Sequence, residues 1–378
     1  GASSLGMEGP TGTIVGSKPS AWAELEAPRY TRLRVGLVGH GTVGAGVLDH
    51  LFGASEDFEV AGVLVRDLAS HRANFVGTHS PVARYFDELF TTDAREFLDR
   101  APDIVVEVAG GVESVEPLVR TALERGLAVV TANKALMAER GLALHEIAER
   151  SGTPLVYSAA VGCSAPLLEA AQRLRGTSVR GFEALLNGTT NFILELLQRG
   201  VPLDDAIVES QERGYAEADP TLDLNGTDAA QKVVLLARAL FGRDVRLRWG
   251  LRQGLESPNL QDLLAEARGA EGQVRMVASC FLEGTASGRT AGPHEAFVEV
   301  APVVLPSGSA LAGIQGAGAG VLFALDTPDR STLLVAGEGA GRWPTSEAVM
   351  ADLLDLRRSP ERFRGIVAGS SSAENTES

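Results

Sequence analysis

The sequence predicts an α/β protein: a doubly wound parallel sheet of the Rossmann type, joined to an α+β region with an open sheet. Three observations carry this reading. An apolar run at 33–38 ends in Gly39-His40-Gly41-Thr42-Val43-Gly44 and is followed by helical spacing over 43–52. Short apolar runs then alternate with amphipathic segments to about residue 160, the pattern of parallel strands with crossover helices. Beyond that point the texture changes to clustered helices followed by further strands.

Taken in order, strands are expected at 33–38, 58–65, 104–108, 128–131 and 155–158, with helices at 43–52, 115–125 and 136–151. Gly126 and Gly152 stand where helix C-termini favour glycine. In the second region, helices are expected at 166–174, 191–198, 203–213 and 228–241. Strands are expected at 179–186, 274–282, 296–300, 320–325 and 331–336, and an amphipathic helix at 344–357 closes the fold. The ends, rich in Gly, Ser and Pro at the front and in Ser at the back, read as disordered tails.

Composition narrows the function. A formal net charge of −15 repels phosphate backbones, so no nucleic-acid partner is expected. No apolar run reaches the ~18 residues of a membrane-spanning helix, so no membrane partner is expected either. The only cysteines, Cys163 and Cys280, form neither a disulfide framework nor a CxxC metal motif, which suits a reducing cytoplasm. Lysine and arginine total 34, yet lysine occurs only as Lys18, Lys134 and Lys232. A lysine retained inside the fold therefore calls for a chemical reason.

The glycine cluster has the setting of a dinucleotide site. Gly39 permits a tight turn, Gly41 lets a pyrophosphate approach the backbone, and Gly44 lets helix and strand pack closely. The helix expected from Val43 turns its free N–H groups toward the phosphates. At the end of the second strand, Arg66 suits a 2′-phosphate and favours NADP; Asp67 could instead take a ribose hydroxyl and allow NAD.

A second constellation lies at 214–232, dense in carboxylates and ending in Lys232. Thr227 is expected to cap a helix on which Asp228 and Lys232 share a face at i,i+4. An exposed salt bridge is the ordinary meaning of such a pair. Near a helix N-terminus, however, the dipole disfavours a cation, which would lower the lysine pKa and suit it to proton transfer. Lys134 follows the expected strand at 128–131, at the carboxyl edge of the sheet where ligands bind.

The segments Leu186-Asn187-Gly188-Thr189-Thr190-Asn191, 214–232 and Gly337-Glu338-Gly339-Ala340-Gly341-Arg342-Trp343-Pro344-Thr345 are the most specific in the chain. Thr131-Ala132-Asn133-Lys134 and Val106-Glu107-Val108-Ala109-Gly110-Gly111 accompany them. Together they resemble the homoserine dehydrogenase family, from about residue 33 to about residue 357. The resemblance implies reversible NAD(P)H reduction of aspartate 4-semialdehyde to homoserine. It implies Lys232 as proton donor, Asp228 as its orienting partner and Lys134 as a second lysine near nicotinamide and substrate. Glu217 would bind the substrate ammonium with Asp223 nearby, and Gly188, Thr189 and Tyr215 would line the pocket. Val43, Ala109, Gly110, Lys134 and Gly339 would join Gly39, Gly41, Thr42, Gly44 and Arg66 around the cofactor. The implied organisation is a tail at 1–32, a dinucleotide domain at 33–160, and a catalytic and dimerisation domain at 161–336. A closing segment at 337–360 returns to the nucleotide domain, and a tail occupies 361–378. A homodimer is implied as well.

The chain departs from the family at Ser158-Ala159-Ala160-Val161-Gly162-Cys163-Ser164-Ala165-Pro166. Family members usually carry a glutamate where Ser158 stands and glycines where Cys163 and Ser164 stand. In the family this loop can hold a monovalent cation near the positions of Val161, Cys163 and Ala165; with Ser158 in place of the glutamate, no metal is expected. Ala319 also replaces a usual asparagine. These changes keep open a dehydrogenase of a related semialdehyde or oxo-acid, and also a non-catalytic NADP-binding protein.

Overall fold

In the computed structural model, residues 32–283, 295–340 and 342–359 are described. The tails expected at 1–32 and 361–378 fall outside them apart from Arg32, as does Gly341. The first sheet comprises β1 (Leu33–Val38), β2 (Phe58–Leu64), β3 (Phe90–Thr91), β4 (Ile104–Glu107), β5 (Ala128–Thr131) and β6 (Leu155–Val156). Its spatial order is β3-β2-β1-β4-β5-β6, and every pairing is parallel. Both faces are covered, which is why its strands read as apolar runs without polar alternation. Val105 and Val129 face one apolar cluster, while Ile104, Val106, Ala128 and Val130 face another.

Strand order reverses between β1 and β4, where Val38 pairs with Glu107. The carboxyl ends of these two strands are the crevice in which doubly wound sheets bind ligands. Helix Thr42–Gly53 starts there. Helix Arg342–Arg358 packs Val349, Leu353 and Leu356 into the cluster that holds Val47, Leu48 and Leu51. All three are fully buried, worth about 5–9 kcal/mol in apolar area removed from water.

The second sheet contains β7 (Val179–Leu185), β8 (Arg246–Arg252), β9 (Gln273–Leu282), β10 (Glu295–Leu305), β11 (Gly318–Leu325) and β12 (Thr332–Glu338). Its order is β12-β11-β7-β9-β10-β8, antiparallel except for the parallel β8–β10 pair. Phe182, Cys280, Val298 and Phe323 share an apolar cluster with helices Gly188–Gln198 and Thr227–Phe241. That cluster also contains Val105 and Val129, so one core runs continuously beneath both sheets.

Several boundaries differ from the sequence reading. Helix Gly188–Gln198 begins three residues before the expected 191, because Asn187 caps it by accepting from the Thr190 N–H at 2.8 Å. The expected strand at 155–158 stops at Val156, and Ser158 opens a one-turn helix, Ser158–Val161. Thr227 is not the cap of its helix: that role falls to Gly226, at φ +83°, which makes no side-chain cap bond. The left-handed backbone there is one that threonine avoids and glycine accepts.

Candidate active site

The glycine turn has the geometry its residues imply. Gly39 sits at φ +96°, and a Cβ on it would lie 2.6 Å from Ala109 Cα; a Cβ on Gly44 would lie 2.3 Å from Gly39 O. Gly41 has open space where a side chain would project, so its backbone is accessible to a ligand. Exposed Thr42 is the first residue of the helix, and no side chain caps its N-terminus. The turn therefore fits a pyrophosphate, with unsatisfied helix N–H groups beside it.

Toward the far end of this crevice lie groups that sequence reasoning passed over. His40 Nδ1 is 3.4 Å from His71 Nδ1, and its ring meets Phe90 edge-on with centroids 5.1 Å apart. Burial, then the neighbouring His71, push His40 down to a pKa of about 4. Asp67 caps the helix Leu68–Asn74, its carboxylate accepting from the Ala69 N–H at 3.0 Å. Arg66 beside it is exposed.

The opposite end opens into a cleft of about 460 Å³ between the two sheets. Val43, Ala109, Gly110 and Gly339 are among its lining residues, and so are Lys134, Gly188, Thr189, Tyr215, Glu217, Asp223, Asp228 and Lys232. Thus residues nominated from distant parts of the sequence converge, while Gly39, Gly41, Thr42, Gly44 and Arg66 lie beyond the cleft lining.

Asp228 is the centre of the polar arrangement. One carboxylate oxygen is 2.9 Å from Lys232 Nζ, and the other is 3.0 Å from Lys134 Nζ. Asn187 Nδ2 donates to Asp228 at 3.0 Å and to Asp223 at 2.7 Å. Lys232 also donates to Leu186 O at 3.0 Å. Lys232 and Asp228 are both buried, so this is not the solvated i,i+4 pair of an ordinary helix surface.

Burial opposes charge on Asp228, but Lys232 and Lys134 outweigh it and hold the carboxyl well below the usual range. Conversely, Asp228 holds Lys134 above its ordinary value, against burial and with help from Asp223 and Glu217. Burial and the nearby Asp228 push Asp223 up. The lining carries four carboxylates, those of Glu217, Asp219, Asp223 and Asp228, against two lysines. Such a surplus favours a substrate with a cationic group.

Two hydroxyls fix the acidic segment over the cleft. Thr189 donates to Tyr215 O at 2.7 Å and Thr190 to Asp223 O at 2.9 Å. Tyr215 packs edge-on against Phe192, with centroids 5.1 Å apart. Asn187 joins both carboxylates to the helix start; in the sequence it stood only within the segment Leu186-Asn187-Gly188-Thr189-Thr190-Asn191 that carries the family resemblance, with no role of its own.

The altered loop is tightly packed. Cys163 is buried, its sulfur accepting from the Ala165 N–H at 3.4 Å, and burial pushes the thiol pKa up. It behaves as a small apolar group. Ser158 directs its side chain to buried Asp352 on the closing helix, which burial pushes up to a pKa of about 7. Among the described residues, no group of three or more His, Cys, Asp or Glu side chains is placed to hold a metal ion.

Comparison with known proteins agrees across both sheets. A family model described as homoserine dehydrogenase matches residues 166–354, and one described as homoserine dehydrogenase, NAD binding domain matches residues 39–158. The chain is 33% identical over 337 residues to the homoserine dehydrogenase of Corynebacterium glutamicum, covering 86% of this chain and 72% of that protein. It is 32% identical over 335 residues to the Pseudomonas aeruginosa enzyme, with the same coverage of 86% and 72%. Among solved structures, a homoserine dehydrogenase from Thiobacillus denitrificans superposes with a TM-score of 0.72 at 30% identity, covering 88% of this chain and 74% of that one. A hyperthermophilic archaeal homoserine dehydrogenase mutant in complex with NADPH shares the fold, with a TM-score of 0.68 at 23% identity over 86% of this chain and 97% of that one.

Proposed function

The chain belongs to the homoserine dehydrogenase family and is an NAD(P)-dependent oxidoreductase of aspartate 4-semialdehyde and homoserine, and we propose that Lys232 exchanges the proton at the reacting oxygen. The observation that supports this role is the double contact of Asp228 with Lys232 and Lys134 inside the cleft.

When bound, the nicotinamide cofactor supplies the hydride. The glycine turn with Val43, Ala109, Gly110 and Gly339 holds it, and the chain's own side chains do the rest. Lys232 protonates the aldehyde oxygen as it becomes an alcohol oxygen, and takes the proton back in the reverse direction. Asp228 keeps the Lys232 ammonium in place and shares the second lysine. Lys134 stands on the open side of the same carboxylate, where it orients substrate near the nicotinamide. Glu217, with Asp223 behind it, binds the substrate ammonium.

NADP is the preferred form in this reading, because the Asp67 carboxylate already caps a helix and Arg66 is left to meet a 2′-phosphate. Exposed Trp249 and Leu251 on β8, and Leu333 and Leu334 on β12, support a homodimer built on the second sheet. Two buried free cysteines suit a reducing cytoplasm. Activity needs no sodium, since Ser158 offers a hydroxyl already engaged with Asp352 where the family carries a carboxylate.

The test is NADPH oxidation with aspartate 4-semialdehyde beside a panel of related semialdehydes and oxo-acids, in sodium and in sodium-free buffer. The expected result is highest kcat/KM for aspartate 4-semialdehyde, equal in both buffers. A better substrate elsewhere in the panel would overturn the substrate reading, and a sodium requirement would overturn the cation reading.

A further inference from the structure

Glu107 carries no role in the chemistry described above, yet it is fully buried at the carboxyl end of β4. Its side chain accepts from three donors. The Ala109 and Gly110 N–H groups donate to Oε1 at 2.9 and 3.1 Å, and the Thr131 hydroxyl donates to Oε2 at 2.6 Å. Ala109 and Gly110 line the cleft.

The loop so held has little stiffness of its own. Gly110 and Gly111 are consecutive left-handed residues, at φ +77° and +80°. Glycine pairs in this region have the largest conformational freedom to lose. The carboxylate supplies what the backbone lacks, fixing two successive N–H groups on one oxygen.

A relay extends from the other oxygen. Thr131 Oγ1, which donates to Glu107, accepts from the Asn133 N–H at 3.0 Å. Asn133 donates through Nδ2 to Gly111 O at 2.6 Å, and caps the next helix by accepting from the Leu136 N–H at 3.0 Å. Lys134 is the first residue of that helix. Thr131 and Asn133 are themselves buried.

We propose that Glu107 is a positioning residue that locks the 109–111 loop against the nicotinamide half of the cofactor and, through Thr131 and Asn133, sets the base of Lys134. It touches no reacting atom. A cofactor whose nicotinamide is seated by this loop meets a lysine held by the same carboxylate, so one buried group aligns both. Burial pushes the Glu107 carboxyl up, while its hydrogen bonds from Thr131, Gly110 and Ala109 pull it down.

Resting as it does on the assignment of Ala109 and Gly110 to the cofactor, this role predicts a split in affinity. NADPH spans the whole crevice, whereas adenosine 2′,5′-bisphosphate occupies only its adenosine end. In Glu107→Leu both N–H donors lose their acceptor, and NADPH binding by fluorescence titration should weaken at least about tenfold. Adenosine 2′,5′-bisphosphate should bind within about twofold of the parent protein. Glu107→Gln keeps an oxygen for both N–H groups and should restore NADPH affinity to within about threefold. Thr131→Val, which removes only the hydroxyl link, should give a smaller loss with the same split and serves if the leucine variant does not fold.

Equal loss of both ligands would overturn the proposal, because that is what a general packing defect produces. Unchanged NADPH affinity in Glu107→Leu or Thr131→Val would overturn it as well. Failure of the parent protein to bind NADPH would instead count against the cofactor reading, and NADH with AMP would then form the test pair.

Discussion

Replacing Lys232 with methionine removes the ammonium while keeping the length and apolar stem of the side chain. The structure predicts a folded protein. Asp228 keeps Lys134 at 3.0 Å and Asn187 at 3.0 Å, so it is not left as an isolated buried charge. Leu186 O loses its donor from Lys232, a cost of about 1–3 kcal/mol against a usual domain stability of about 5–15 kcal/mol. Catalysis suffers more. A positioned general acid contributes about 10²–10⁴-fold, which is about 3–5 kcal/mol of barrier. In steady-state NADPH oxidation with saturating aspartate 4-semialdehyde, kcat should therefore fall by about two to four orders of magnitude. The dissociation constant for NADPH should stay within about twofold, because the glycine turn at Gly39–Gly44 is untouched. Retention of kcat within about tenfold of the parent would refute the proton-transfer role. A larger kcat loss in Lys134→Met than in Lys232→Met would assign that role to the other lysine.

Arg66→Ala should weaken NADPH binding about tenfold to a hundredfold, the range of a charge-assisted contact, and leave NADH nearly unchanged; an unaltered ratio would remove Arg66 from cofactor choice. Asp352→Asn should change the pH dependence of stability. The Asp352 carboxyl is raised from 3.8 to about 7, so between these values the folded state binds the extra proton and stability falls as pH rises. The variant lacks that loss, and its stability should gain on the parent at about pH 8 relative to about pH 5, by at most about 3 kcal/mol, read as a shift in melting temperature. A gap independent of pH would show that Asp352 ionises normally in the fold.

Much of this was legible before any coordinates. The first sheet announced itself because Leu33–Val38, Ile104–Glu107 and Ala128–Thr131 are buried from both faces and leave apolar runs bounded by glycine and helix-start residues. The scarcity of lysine singled out Lys134 and Lys232, which the fold brings onto one carboxylate. That shared contact was not legible: i,i+4 spacing reports Asp228 with Lys232 only, and the meeting with Lys134 depends on how the two sheets join.

Most of the unread elements were short or at edges. Helices Leu68–Asn74, Pro81–Arg84, Phe86–Leu89 and Ala94–Asp99 are too brief to show a period. Strand Arg246–Arg252 alternates Leu247, Trp249 and Leu251 with Arg246, Arg248, Gly250 and Arg252, a signal that was present and unused. Helix Leu260–Gly269 went unread too, although Leu260, Leu264 and Ala267 form a buried stripe at helical spacing. Glu107 stayed anonymous because a single acidic residue at a strand end says nothing of its donors until the 109–111 loop folds back onto it.

The most direct test of the account follows the hydride itself. NADPH carrying deuterium at both nicotinamide C4 positions would be incubated with aspartate 4-semialdehyde, and the product examined by mass spectrometry. The account predicts homoserine bearing one deuterium on the new alcohol carbon, formed by the parent protein and formed at least about a hundredfold more slowly by Lys232→Met. NADPH binding without labelled homoserine from the parent protein would contradict it.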